Sequence, residues 1–190
     1  MKLAAHSTAL DGALILEPEI VEDSRGTLIE SFNAREFERM TGLRPTFVQD
    51  NHSRSNRSVL RGLHYQVKHP QGKLIRVTAG EIFDVAVDIR HGSNTFGKWI
   101  GIQLSAQNRH QLWLPTGYAH GFLVLSDFAE VLYKTTDYWH PESEHVIRWD
   151  DPVIGVQWPM LQTPILSDKD ATAPLLTDAA ELPEQESPSQ

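Results

Sequence analysis

Short runs in which apolar and polar residues alternate follow one another along this chain, separated by glycine, proline and other turn residues. In the clearest run, residues 83–89, four apolar side chains share one face while Asp84 and Asp88 share the other. Such period-two alternation is typical of β-strands. A second run, residues 73–79, joins the first through Gly80, which predicts a β-hairpin.

Further segments have the same character and are predicted strands: 14–20, 27–32, 47–52, 59–66, 99–104, 111–114, 122–125 and 130–136. One helix is predicted from Ala34 to Met40, with Asn33 as its N-cap, Glu36 at the capping-box position and Gly42 as its stop. About ten short strands and no βαβ rhythm predict an all-β jelly-roll barrel with one or two short helices.

Composition places the chain among ordinary globular proteins of one domain, since it has 190 residues, 40% hydrophobic and 22% charged. It contains no cysteine, which excludes disulfides, thiolate metal sites and a cysteine nucleophile. It also has no apolar run long enough to span a bilayer and a poor match to a secretory signal. A cytoplasmic protein that does not bind membranes is the simplest interpretation.

The net charge of −8 argues against a nucleic-acid binder, which would carry a basic stripe. Four of the acidic residues fall in the last thirteen positions: Asp178, Glu181, Glu184 and Glu186. We therefore expect a single domain over residues 1–177 and an acidic, disordered tail over residues 178–190. The domain itself is only mildly acidic, so an anionic ligand would have to be held by locally placed Arg and Lys.

Three polar clusters lie close together in the first half of the chain. Arg61-Gly-Leu-His64-Tyr-Gln is preceded by Gln49-Asp-Asn-His-Ser and followed by Gln71-Gly-Lys. Arginine and histidine together in a strand of a globular protein indicate a binding or catalytic site. We interpret the three clusters as a catalytic pocket built on β-structure.

These clusters and five further blocks resemble the dTDP-4-dehydrorhamnose 3,5-epimerase family, in order and over roughly residues 10–176. The further blocks are Asp23-Ser-Arg-Gly with Glu30, Phe83-Asp-Val-Ala-Val-Asp-Ile-Arg, Pro115-Thr-Gly-Tyr-Ala-His-Gly-Phe, Tyr133-Lys, and Leu166-Ser-Asp-Lys-Asp. The resemblance implies a cupin-type jelly roll, usually a homodimer, that acts on a nucleotide-sugar without cofactor or metal. It implies inversion of C3 and C5 of dTDP-4-dehydro-6-deoxy-D-glucose, giving dTDP-4-dehydro-L-rhamnose.

Inverting a carbon beside a ketone requires a base, a group that stabilises the enolate and a separate acid. An imidazole with a pKa near 6.5 suits the base, so His64 is the candidate. By resemblance Asp170 orients His64, Lys73 stabilises the enolate and Tyr133 returns the proton to the opposite face. The resemblance also makes His120 a polar wall group near the reacting carbons.

The remaining candidates would bind the substrate. A guanidinium binds phosphate oxygens in pairs, which suits Arg61 to the pyrophosphate, with Lys169 and Arg25 as helpers. By resemblance, Arg25 and Glu30 reach over from a partner subunit. Thymine would stack on Tyr138 or Trp139, although the family commonly has tyrosine at both positions. The other implied contacts are Gln49, Asp50, Asn51 and Glu144.

Several alternatives stay open. Asp84 and Asp88 are rival partners for His64, or structural residues. A metal-dependent cupin would draw on His52, His64 and His120, although the run His64-Tyr-Gln lacks the paired histidines and nearby glutamate of such sites. A single-site epimerase acting at C3 or C5 would share most of these residues. A non-catalytic sugar-nucleotide-binding cupin would have no need of Tyr133 as an acid.

Overall fold

The computed structural model of the protein describes residues 2–185, and within them the chain forms thirteen β-strands and two short α-helices. The strands are β1 Leu3–Ser7, β2 Leu14–Pro18, β3 Ile20–Asp23, β4 Gly26–Ile29, β5 Gln49–Asn56, β6 Leu60–Gln66, β7 Lys73–Ala79, β8 Glu81–Asp88, β9 Trp99–Ser105, β10 Gln111–Leu114, β11 Tyr118–Val124, β12 Phe128–Thr135 and β13 Glu144–Val146. The helices are α1 Ala34–Thr41 and α2 Asp168–Ala171. Neither of these described helices is long and apolar enough to cross a bilayer.

Most strands belong to one of two antiparallel sheets packed face to face. The six-stranded sheet has the order β1-β2-β10-β7-β12-β5, and the five-stranded sheet has the order β13-β6-β11-β8-β9. The largest apolar cluster lies between them, with Ile75 and Val131 from the first sheet against Ala86 and Phe122 from the second. This arrangement is a jelly roll, and the predicted all-β class is confirmed.

Strands β7 and β8 do not form the hairpin that the alternating pattern predicts. They are consecutive, yet β7 lies in the six-stranded sheet and β8 in the five-stranded sheet. Between them Gly80 has φ of 74°, and a Cβ there would lie 2.0 Å from the carbonyl oxygen of Phe128. Only glycine fits this crossing without a clash. The alternating pattern cannot distinguish a crossing between sheets from a hairpin, because the same side chains of the two strands are buried in either arrangement.

Apolar residues also cover the outer face of each sheet. On the five-stranded sheet, Val85 belongs to a cluster with Trp158 and Leu176 from the C-terminal segment. On the six-stranded sheet, Phe37 of α1 packs edge-on against Trp113, with ring centroids 5.3 Å apart. The central strands are therefore covered on both sides, and a polar residue on them must find its partner inside the protein.

The boundaries of some elements differ from the predicted ones. The predicted strand 14–20 is two strands, because the chain leaves the sheet after Pro18 and Ile20 begins the separate hairpin β3–β4. Strands β1 and β13 were not predicted, since neither has a clear alternation. Helix α1 begins and ends as expected, with the Asn33 side chain capping its first turn and Gly42 in the left-handed conformation.

Residues 181–185 lie against the folded domain, where the sequence predicts a disordered extension from residue 178. The Tyr65 hydroxyl donates to the carbonyl oxygen of Glu181 at 2.9 Å, and Leu182 packs against the apolar cluster on the outer face of the five-stranded sheet. The backbone of His91 donates to the carbonyl oxygen of Pro183 at 2.7 Å and accepts from the Gln185 N–H at 3.1 Å. These contacts hold a segment whose acidic composition indicated solvation. The rest of the predicted tail, 186–190, lies outside the described residues.

Asp88, at the end of β8, has a fully buried carboxylate. Arg90 donates to it from its backbone N–H and its guanidinium, and the hydroxyls of Ser93 and Thr95 donate as well. Burial raises the pKa of Asp88, but these hydrogen bonds outweigh burial and lower the pKa to about 2. Asp88 therefore holds the loop after β8 and is not the partner of His64.

Replacing Asp88 with Asn should destabilise the fold by about 3 kcal/mol, because the guanidinium of Arg90, only 13% exposed, would lie opposite a neutral amide. The folded-state pKa lies below the value of about 3.9 expected for an unfolded chain. The contribution of Asp88 is therefore complete above about pH 4 and is lost as the pH falls towards about 2. Urea denaturation at neutral pH and near pH 3 measures both effects.

The control is Asp150→Asn, which removes one partner of the exposed pair with Arg148 and should hardly change the free energy of unfolding. Equal destabilisation by the two substitutions would contradict the role of Asp88.

Candidate active site

A polar cavity of about 310 Å³ lies inside the barrel, with walls from both sheets. Strands β5, β7 and β12 contribute from one sheet, and β6, β11 and β13 contribute from the other. The lining residues are Gln49, Asn51, Ser53, Arg61, His64, Gln71, Lys73, His120, Gly121, Phe122, Tyr133, Trp139 and Glu144. Buried polar groups cost free energy unless they are hydrogen-bonded. A concave site in which several polar groups converge is typical of small-molecule binding.

Strand β5 presents alternate residues to this cavity. Gln49 donates to Asn51 Oδ1 at 3.0 Å and accepts a hydrogen bond from the backbone N–H of Trp139 at 3.1 Å. Asp50 lies on the other face, where its carboxylate accepts from Lys134 at 2.9 Å. The structure therefore does not bring Asp50 to the cavity, because adjacent residues of a strand face opposite sides. Asp50 lines a smaller neighbouring cavity that also reaches Asn51 and Tyr133, and its predicted substrate contact stays a prediction.

Some lining residues were not among the predicted site residues: Ser53, Gln71, Gly121 and Phe122. Ser53 has the same parity along β5 as Gln49 and Asn51, and that parity is the signal that would have found it. Its hydroxyl is buried, and within residues 2–185 it has no hydrogen-bond partner. A bound ligand would therefore find a free donor and acceptor at this position.

His64 and Asp170 form a hydrogen-bonded pair, although they are 106 positions apart in the chain. His64 Nε2 lies 2.6 Å from Asp170 Oδ1, and Asp170 is held in α2, which Ser167 caps. Burial raises the pKa of Asp170, but hydrogen bonds from His64 and Ser167 outweigh burial and lower it. An ionised carboxylate only accepts, so Nε2 carries the hydrogen and Nδ1 keeps a free lone pair.

His120 forms a second pair, with Asp84. Its Nε2 lies 3.0 Å from both carboxylate oxygens of Asp84, and both residues are buried. Asp84 is therefore the partner of His120 and not of His64. His120 and His64 are opposite each other on the paired strands β11 and β6, which brings both imidazoles to one wall of the cavity.

The backbones of β6 and β11 approach closely at this wall. A Cβ on Gly62 would lie 2.5 Å from the Cα of Gly121, and Gly62 has φ of 129°. Side chains at this contact would push the two strands apart. The glycine within Arg61-Gly-Leu-His64 therefore allows the two histidine-bearing strands to pair.

Burial shifts the pKa of two groups in opposite directions. Lys73 is 9% exposed, and burial lowers the pKa of its ammonium to about 8, although Glu144 and Asp84 raise it in part. For Tyr133 burial raises the pKa, Arg61 lowers it and Glu144 raises it, with a net rise. At neutral pH the cavity therefore contains a mostly charged lysine and a protonated phenol.

Other predicted binding residues surround the cavity. Arg61 lines it while its Nε donates to Ser55 Oγ at 3.0 Å, and Glu144 lines it while accepting from Lys169. Trp139 also contributes to the lining and is 54% exposed. Tyr138 is 56% exposed and is not a lining residue.

Arg25 and Glu30 are not brought to the cavity within one chain. Arg25 sits in the turn of the β3–β4 hairpin, where its guanidinium pairs with Asp23. Glu30 lines a separate small cavity beside Phe37 and Gln111. The expectation that both residues act from a partner subunit stays a prediction.

The loops at the edge of the cavity are joined by Gln66, which is buried. Its Nε2 donates to the carbonyl oxygens of His69 at 2.7 Å and Tyr138 at 3.2 Å, and its Oε1 accepts from the His140 N–H at 2.9 Å. One carboxamide thus uses both donors and its acceptor to hold the segment that carries Trp139. This role of Gln66 was not predicted from the sequence.

The histidines of the metal alternative do not converge. His52 is on the face of β5 that points away from the cavity, with its Nε2 3.4 Å from Glu130. His64 and His120 each have their own carboxylate partner. Among residues 2–185, a different group of three possible metal ligands lies close together. The donor atoms of His69, Asp137 and His140 are within 4.8 Å of one another.

The two facing antiparallel sheets around this cavity make the protein a cupin-type jelly roll. The chain belongs to the dTDP-4-dehydrorhamnose 3,5-epimerase family, whose sequence profile matches residues 7–178. The family predicted from the motifs is thereby confirmed.

Individual relatives agree with this assignment. The chain is 53% identical to dTDP-4-dehydrorhamnose 3,5-epimerase from Pseudomonas aeruginosa over 177 residues, covering 93% of this chain and 98% of the relative. It is 50% identical to dTDP-6-deoxy-D-glucose-3,5-epimerase from Legionella pneumophila, crystallised with dTDP-4-keto-L-rhamnose, with a TM-score of 0.94 and coverage of 97% and 100%. A more distant structure, a 3'-monoepimerase from Streptomyces bikiniensis with dTDP-quinovose, is 36% identical, with a TM-score of 0.86 and coverage of 90% and 87%.

Proposed function

We propose that this protein is a dTDP-4-dehydrorhamnose 3,5-epimerase that inverts C3 and C5 of dTDP-4-dehydro-6-deoxy-D-glucose and needs no cofactor. Family membership and the similarity to an epimerase crystallised with dTDP-4-keto-L-rhamnose support the substrate. The observation that carries the mechanism is that His64, Lys73 and Tyr133 line one cavity, with Asp170 behind His64.

The reaction begins with removal of a proton from a carbon beside the C4 ketone. In the proposed mechanism Nδ1 of His64 takes this proton, since Nε2 is already used in the hydrogen bond to Asp170. The imidazole becomes positively charged, and the adjacent carboxylate of Asp170 stabilises that charge. Asp170 acts as the third group of a hydrolase triad does, by orienting the base.

Removal of the proton leaves negative charge on the ketone oxygen. Lys73 is the proposed partner for this enolate, because its ammonium is held in a site from which water is largely excluded. A positioned donor of this kind typically lowers the barrier by about 3 kcal/mol. The buried ammonium would gain more from an enolate than from a neutral ketone, which favours the transition state over the bound substrate.

Inversion requires that the proton return to the opposite face of the sugar. Tyr133 is the proposed acid, and its raised pKa keeps the phenol protonated at neutral pH. A positioned acid of this kind contributes roughly 10² to 10⁴ in rate. A base alone would return the proton to the face from which it came.

At the nucleotide end, Arg61 and Lys169 are the proposed partners of the pyrophosphate, since both are cations at or beside the cavity. Trp139 is proposed to stack on thymine, because it joins the cavity lining with an exposed ring. The homodimer with Arg25 and Glu30 shared across its interface stays a prediction, as does the cytoplasmic location.

A single-site epimerase is the second candidate, and the similarity to a 3'-monoepimerase favours it. Both candidates use the same base and acid, so the lining residues do not separate them. Incubation with dTDP-4-dehydro-6-deoxy-D-glucose in D₂O, followed by NMR, distinguishes them. Deuterium and inversion at both C3 and C5 support the 3,5-epimerase, inversion at one carbon supports the single-site enzyme, and no exchange would leave only a binding protein.

His64→Ala should abolish deuterium uptake at both carbons, because the cavity then lacks its base. Asp170→Asn should slow the uptake by about 10² or more, because the imidazole loses its orienting charge. His91→Ala removes a largely exposed histidine that does not line the cavity, and it should leave the exchange rate unchanged. Exchange by the His64→Ala protein at the original rate would exclude His64 as the base.

Tyr133→Phe should leave some deuterium exchange at C5 while net inversion is suppressed, because His64 can return a proton only to the original face. The same NMR experiment measures both quantities on one sample. Binding of dTDP should change little, since only a hydroxyl is lost. Inversion at the original rate would show that another group supplies the proton.

Activity should fall as the pH rises through about 8, because the Lys73 ammonium loses its proton there. The raised pKa of Tyr133 places its ionisation higher, so it does not cause this decline. The measurement is kcat/KM against pH. Lys73→Arg keeps its charge at all accessible pH values, so this variant should be less active but should lack the decline near pH 8. A decline in the variant at the same pH would assign it to another group.

A further inference from the structure

A group of metal-ligand side chains lies at the edge of the cavity, apart from the proposed catalytic residues. His69 Nδ1 lies 3.5 Å from Asp137 Oδ2, and the rings of His69 and His140 are stacked with centroids 4.0 Å apart. One donor atom from each of the three residues lies within 4.8 Å of the others. A fourth donor is near, since Glu142 Oε1 is 3.2 Å from His140 Nδ1.

Two imidazoles and a carboxylate are nitrogen and oxygen ligands that Zn²⁺ binds well, with bonds of about 2.0 to 2.2 Å. Donors around one tetrahedral Zn²⁺ are then about 3.3 Å apart, so the three donors need to close by no more than about 1.5 Å. One imidazole must also rotate out of the stack, because a bound ion lies in the plane of each imidazole ring. Mg²⁺ and Ca²⁺ prefer oxygen ligands, so imidazoles argue against them.

The backbone that carries these ligands is already held in place. Gln66 ties the carbonyl oxygen of His69 to the N–H of His140 through its one buried carboxamide. On the other side, Gln71 donates to the carbonyl oxygen of Asp137 at 3.0 Å. Ligands on fixed backbone lose less conformational freedom when a metal binds, which raises affinity.

We propose that His69, Asp137 and His140 bind a divalent transition-metal ion, with Zn²⁺ as the best fit. The ion joins the loop after β6 to the segment after β12, and Trp139 lies between two of its ligands and lines the cavity. Its role is to fix this wall of the cavity, and it takes no part in the proton transfers. The proposal does not depend on the epimerase mechanism.

The experiment is a titration of the metal-free, untagged protein with ZnCl₂ by isothermal calorimetry, repeated with Co²⁺ to record the visible absorption of a low-symmetry site. We expect one equivalent of Zn²⁺ to bind. His69→Ala and His140→Ala should each lower the affinity for this Zn²⁺ by about tenfold or more, because each removes a ligand. Asp137→Asn should do the same while preserving the loop, since its Oδ1 can still accept from the Tyr138 N–H.

His6→Ala is the matched control, because His6 forms an exposed pair with Glu17 at 3.3 Å on β1 and β2. This variant should bind Zn²⁺ as the unaltered protein does. In addition, bound Ni²⁺ should quench the fluorescence of Trp139, and Trp139→Phe should remove that quenching. Absence of saturable binding by about 100 μM Zn²⁺, or ligand variants with affinities within twofold of the control's, would overturn the proposal.

Discussion

The hydrogen bond between His64 and Asp170 is the interaction on which the candidate site depends. It joins β6, in the five-stranded sheet, to a short helix near the end of the chain. The C-terminal segment that carries this helix is held by apolar packing, since Trp158 and Leu176 cover the outer face of the five-stranded sheet. Packing of that segment thus delivers a carboxylate to an imidazole, and the carboxylate in turn decides which nitrogen is free to take a proton.

A second constraint is the dryness of the barrel interior, which acts on acids and bases in opposite senses. Burial disfavours charge, so it lowers the pKa of Lys73 and raises that of Tyr133. Glu144 raises both, which keeps the ammonium charged near neutral pH and the phenol protonated. The same buried environment therefore sets the protonation states of both the proposed enolate partner and the proposed acid.

Much of the fold follows from local pattern. Period-two alternation identified most strands, and the caps of α1 were correct because Asn33 and Gly42 act within one turn of the helix. Neither the alternating pattern nor the acidic composition reveals contacts with distant partners. The chain crosses between sheets at Gly80, and residues 181–185 pack on the domain, because of contacts with residues far away in the sequence.

In the candidate site, too, some features follow from the sequence and others depend on contacts between distant residues. The residue types and their order are properties of the sequence, and together with the family resemblance they predicted an imidazole base with cationic and phenolic neighbours. Parity along β5 would also have placed Ser53 on the face that lines the main cavity and Asp50 on the opposite face. Tertiary structure decided which carboxylate pairs with which histidine, that Gln66 clamps two loops, and that His69, Asp137 and His140 meet. These contacts could not be predicted from the sequence, because hydrogen bonds and desolvation depend on distances in space. Alternation along a strand does not specify those distances.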